Sequence, residues 1–251
     1  MKYLIQGFVS FLFVGMIAGC AGDKSDIENA DYILGKGGAD NANTVLAMVT
    51  TTKIAAASGA TKFELMRLYA GAKMQAAGFD GVKIIPILVY KDSDNTLQLI
   101  RDAVTLNTNS PQFLSDAIIN LGAFIASKDF TASTDTRAKN GIIFQLGLAN
   151  FFDAIRTSFK TSGISDTTGV LSQSDCEDRF NASTADVTNI GSSLDTAKTN
   201  FTDKATGSGL DVDNPLVKLL QSFRDQVPST TSPTDIHNLC VYLVGQSQKA
   251  N

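Results

Sequence analysis

Residues 140–159 read NGIIFQLGLANFFDAIRTSF, and this stretch decides the fold. Phe144, Leu148, Phe151, Phe152, Ile155 and Phe159 recur mostly at steps of three and four, which gathers them on one wide face of an α-helix. A strand would need strict alternation, and the run is too long for one. A stripe this wide reads as core, with a ligand groove as the other reading. Gly141 and Gly147 weaken a helix interior, so the expectation is that another helix approaches closely there.

The neighbouring segments extend the pattern. Upstream, Ser110-Pro111 places a cap and a proline at a helix start, and Leu114, Ile118, Leu121 and Ile125 follow at helical spacing. A polar loop is expected over 128–136. Downstream, 161–174 is rich in Ser, Thr and Gly and reads as a loop. Three helices are predicted beyond it. The first carries Val187, Ile190, Leu194, Ala197 and Phe201 between Ser183 and Gly207. The second runs from Asn214-Pro215 to Pro228, and the third starts at Ser232-Pro233 and turns Ile236, Leu239, Cys240, Leu243 and Val244 inward.

Toward the N-terminus, 25–34 places Ile27, Ala30, Ile33 and Leu34 on one face. A glycine break at 35–38 precedes a helix over 40–57. Thr61-Lys62-Phe63-Glu64 has a capping-box pattern opening a helix with Leu65, Leu68, Tyr69 and Ala72, which Gly78 ends. Asp80 can cap an apolar run, 82–89, which reads as a helix kinked or started by Pro86. The fold class is therefore all-α.

Gly38-Ala39-Asp40 and Gly78-Phe79-Asp80 echo one another at 40 residues, with Tyr32 and Tyr69 upstream. Over 27–89, with a further hairpin over 114–159, this resembles helix-turn-helix arrays such as tetratricopeptide-like bacterial lipoproteins. Some of those serve solute transporters or envelope assembly. The tetratricopeptide unit is about 34 residues with a late proline, so an irregular bundle stands beside the array as an equal alternative. The expected organisation is a helical hairpin domain over 27–160, a loop over 161–174 and a C-terminal helical subdomain over 175–251.

The first 19 residues are Met-Lys followed by an almost unbroken apolar run, with Lys2 the sole charge. This layout is that of a secretory signal; a plain membrane span, which wants about 20 apolar residues, is the other reading. The run ends Ile17-Ala18-Gly19-Cys20. This resembles the lipobox of bacterial lipoproteins, an aliphatic residue, two small residues and Cys. The resemblance implies removal of 1–19, lipidation of Cys20 and a lipidated tether over 20–26. Two or three acyl chains anchor stably where one does not. In that family Ala21, rather than Asp, at the second mature position implies sorting to an outer membrane, with the periplasmic or surface side left open.

Removing Lys2 takes the net charge from −4 to −5. Without a basic patch interleaved with aromatics, nucleic acid is not an expected partner. With Cys20 assigned to lipid, Cys176 and Cys240 remain, and an oxidising compartment allows them to pair. Two buried free thiols, or a zinc site adding His237, are the alternatives; a structural zinc site usually wants four ligands.

Catalytic patterns are missing. The sequence has no phosphate-binding G-x-x-x-x-G-K-[ST], no S-x-x-K and no G-x-S-x-G, and one His precludes H-E-x-x-H. Asp92-Ser93-Asp94-Asn95 opens like a calcium loop but has Leu97 at position six and Ala103 at position twelve. Asp211-Val212-Asp213-Asn214 fails in the same way. No cofactor, metal or catalytic residue is assigned. The expectation is a non-catalytic, lipid-anchored envelope protein whose helical domain binds or scaffolds a protein partner. A solute-binding component with an apolar pocket between helices is the alternative.

Overall fold

The computed structural model describes residues 21–90, 96–164, 172–203, 207–228 and 231–248. Residues 1–20, on which the expected signal segment and Cys20 fall, and residues 92–95 lie outside them. Among the described residues the chain is all-α, with thirteen helices and no strand. They are α1 (Ala21–Leu34), α2 (Ala39–Met48), α3 (Thr51–Ala56), α4 (Gly59–Ala76), α5 (Gly81–Tyr90), α6 (Thr96–Ala103) and α7 (Ser110–Ile125), followed by α8 (Lys128–Ala132), α9 (Thr136–Ser162), α10 (Gln173–Ala182), α11 (Thr184–Thr202), α12 (Pro215–Gln226) and α13 (Pro233–Gln248).

The axis of the molecule is α9. Asp135 starts it by accepting from the Ala138 N–H at 2.9 Å. Gly163 ends it in the left-handed conformation, φ +84°. One side packs on α4 and α7, and the other makes the most extensive helix–helix interface among the described residues, with α11. The phenylalanine stripe fills both sides. Phe152 stacks on Phe79 with centroids 4.5 Å apart, and Phe144 tilts against Phe201 at 5.4 Å. The stripe is therefore core. Each fully buried Phe is worth about 1.5–3 kcal/mol over an exposed one. Gly147 is where α11 comes close: a Cβ there would overlap the Phe201 ring. Gly141 differs, since nothing lies within 4 Å of the same position, and the expected close approach does not occur there.

The core is continuous from Ala30 to Val244. Helices α10 to α13 share that core with the helices before residue 163. The hairpin α5–α6 leaves its sequence neighbours, with α5 resting on α12 and α6 on α13. That interleaving makes the fold an irregular bundle, because a hairpin array would stack each pair on the next.

Several boundaries differ from the sequence reading for local reasons. Residues 21–26, expected as a tether, are helical. The helix expected over 40–57 breaks at Val49, and Thr50 caps a new turn by accepting from the Lys53 N–H at 3.2 Å. Helix α4 starts at Gly59, two residues before the capping-box Thr61. Residues 128–132 form the short helix α8, capped by Ser127 and pinned by buried Phe130. Of the loop expected over 161–174, residues 161–162 belong to α9 and 173–174 to α10, and residues 165–171 lie outside the described residues. Ser110 is the first residue of α7, not its cap, and its hydroxyl accepts from the Asn107 N–H at 2.8 Å. Pro86 lies inside α5. Helix α11 stops at Thr202, short of Gly207, and Ser183 makes no side-chain cap bond. The starts at Asn214-Pro215 and Ser232-Pro233 fall as expected, with Asn214 Oδ1 accepting from the Leu216 N–H and Ser232 Oγ from the Asp235 N–H.

Candidate functional site: a disulfide, a polar clamp and an open groove

Cys176 lies on α10 and Cys240 on α13, both wholly buried. Their sulfurs are 2.08 Å apart and their Cα atoms 5.8 Å apart, a disulfide between residues 64 positions apart. With both sulfurs in that bond neither is a thiolate, so the zinc alternative loses two of its three ligands. No group of three His, Cys, Asp or Glu among the described residues is placed to hold a metal ion.

His237 sits one turn before Cys240 and faces α10. Its Nδ1 is 2.9 Å from Glu177 Oε1 and also 2.9 Å from Gln173 Nε2. Glu177 Oε1 also accepts from Gln173 Nε2 at 2.8 Å, so the three side chains close a hydrogen-bonded triangle in which the His237 tautomer sets whether Nδ1 donates to Glu177 or accepts from Gln173. This half-exposed triangle closes the solvent side of the α10–α13 contact. Two residues beyond Cys240 on α13, burial pushes the Tyr242 phenol up to about 12, and its ring stacks on Phe223.

A second polar arrangement sits where the two echoed glycine turns meet. Asp80, only 8% exposed, accepts from the Val82 N–H at 3.0 Å through Oδ1 and from the Gly38 N–H at 3.0 Å through Oδ2. Gln75 Nε2 donates to the Gly38 carbonyl at 2.9 Å, and Asn41 Nδ2 donates to the Gly37 carbonyl at 2.7 Å. A Cβ on Gly37 would fall 2.6 Å from Asp80 Oδ2, and Gly37 also has φ +74°, so glycine is needed there twice over. Sequence reading gave Asp80 only its capping role. The 40-residue echo marked both turns but carried no sign that they touch.

An open groove of about 250 Å³ lies between α1, α2, α3 and α4. Ile27, Met48, Val49, Ala56, Ala57 and Leu65 supply its apolar surface, with Thr61 beside them. Asp26 and Lys53 face each other across the rim at 3.7 Å, both more than half exposed. A cavity between helices was the feature expected of a solute-binding component. This one is open and lies below the usual ligand-site range of about 300–1,000 Å³.

Compared with protein-family models, curated proteins and solved structures, the chain matches none.

Proposed function

We propose that the protein is a lipoprotein of the bacterial envelope, attached through Cys20 to a membrane, whose helical domain binds or scaffolds an envelope partner without catalysis. The observation that carries this reading is the lipobox and its position. Ile17-Ala18-Gly19-Cys20 ends at the thiol, and all thirteen described helices follow it in the chain. Cleavage before Cys20 would therefore leave them covalently intact. The disulfide supports export, since such bonds persist in oxidising compartments. Ala21 supports an outer membrane as the destination.

The domain itself supports a binding or scaffolding role through its solid, continuous core. The second reading, a solute-binding component, is favoured by one observation, the groove beside α1.

Metabolic labelling with a palmitate analogue tests the anchor. The wild-type chain is expected to be labelled and to sediment with the outer membrane. The Cys20→Ser chain is expected to be unlabelled and to appear as uncleaved precursor or released protein. Equal labelling of the two would sink the proposal.

A further inference from the structure

We infer that the groove between α1, α2, α3 and α4 receives part of an acyl chain borne by the protein's own Cys20. The inference rests on the lipoprotein reading and goes beyond it by naming where one chain lies when it is outside a bilayer.

The groove suits a linear aliphatic group. Ile27, Met48, Val49, Ala57 and Leu65 present aliphatic and thioether surface, and no aromatic ring interrupts the lining. At about 250 Å³ it exceeds the cavity of about 150 Å³ that holds a benzene ring. It is also open to solvent, so a stretch of one chain can enter it from the surface. The rim pair of Asp26 and Lys53 is neutral as a unit and sets no net charge against an uncharged occupant.

Position makes the protein's own lipid the favoured occupant. Asp26 and Ile27, two of the residues that line the groove, follow Cys20 in the chain by only six and seven positions. A short tether gives an effective concentration in the millimolar range. A shallow groove can then fill with a tethered chain where it would not hold free fatty acid.

The test uses the complete lipoprotein, made in cells fed a palmitate analogue with a diazirine in its chain and purified in dilute detergent. Irradiation is expected to crosslink the Cys20 lipid mainly to peptides covering residues 39–66. Ala57→Phe should fill the groove and lower those crosslinks at least fivefold, with diazirine incorporation and far-ultraviolet circular dichroism unchanged. Ala56→Phe, at an exposed position on the rim, gives the same readout if the first variant misfolds. Crosslinks confined to detergent, spread over other helices, or indifferent to both variants would overturn the inference while leaving the lipoprotein reading standing. Absence of the label from Cys20 would overturn the lipoprotein reading and this inference with it.

Discussion

The turn at residues 35–38 and helix α10 are both weakly apolar pieces that must be held against the core, and they are held by different chemistry. The turn is fixed by several hydrogen bonds converging from Asp80, Gln75 and Asn41. Nearby, Arg67 pairs with Asp31 of α1 at 2.8 Å. Helix α10 reads QSDCEDRFNA and buries only Cys176 and Phe180, and a disulfide, with the half-exposed clamp of Gln173, Glu177 and His237 beside it, fastens it to α13. The first region should fail in steps as its hydrogen bonds are removed. The second should fail chiefly when the disulfide goes.

Removing the disulfide is the largest expected effect. A crosslink spanning 64 positions stabilises by about 4 kcal/mol on the chain-entropy model. Cys176→Ala with Cys240→Ala should lose about that much in urea unfolding, and reductant should do the same to the wild type. Hydrogen exchange should rise across α10 and α13 and stay unchanged in α4. A loss below about 1 kcal/mol would mean that Phe180 holds α10 without the bond. In denatured wild-type protein, alkylation should find no free thiol at Cys176 or Cys240 until reductant is added.

Asp80→Ala tests the other region. It strands the N–H groups of Gly38 and Val82, at least one of them in a partly buried setting. Hydrogen bonds to a charged acceptor are worth about 1.5–3 kcal/mol each, so a loss of about 3 kcal/mol is expected, with faster exchange at Gly38 and Val82. If α10 and α13 lose protection instead, the two regions are not independent.

Two glycines of α9 sharpen the comparison from the core side. Gly147→Ala pushes a methyl into the Phe201 ring and should cost about 2 kcal/mol as overpacking. Gly141→Ala meets nothing within 4 Å and should stabilise by up to about 1 kcal/mol through helix propensity. Thermal unfolding of the two variants should move in opposite directions.

The last effect is confined to alkaline pH. Tyr242 is neutral in both folded and unfolded chains below pH 10, so it adds no pH dependence there. Between pH 10 and about 12 the unfolded chain ionises while the buried phenol keeps its proton. Unfolding then becomes easier as pH rises, by up to about 2 kcal/mol. Tyr242→Phe should flatten that part of the stability profile. An unchanged profile would show that the ring reaches solvent more freely than its packing on Phe223 implies.

Much of the fold was legible because helices announce themselves locally. The 3.6-residue period fixed the stripe of α9, and Asn214-Pro215 and Ser232-Pro233 fixed the starts of α12 and α13, since a cap bond spans two or three residues. Breaks were less legible. The helix stops at Val49 and resumes after Thr50 although the apolar pattern runs on. Residues 128–132 looked like polar loop until Phe130 met the rings of Phe63 and Phe124.

By itself the sequence determined the all-α class, the inward faces of the main helices, the parity that leaves Cys176 and Cys240 to each other, and the lipobox resemblance at Cys20. Those depend on neighbours in the chain or on counting. Tertiary structure decided that α5 and α6 cross to α12 and α13, that Asp80 reaches back to Gly38, that Gly147 rather than Gly141 takes the close approach, and that a groove opens beside α1. Each of these joins segments far apart in sequence. Periodicity tells a helix which face to bury, but the choice of what to bury it against is made by packing the whole chain at once.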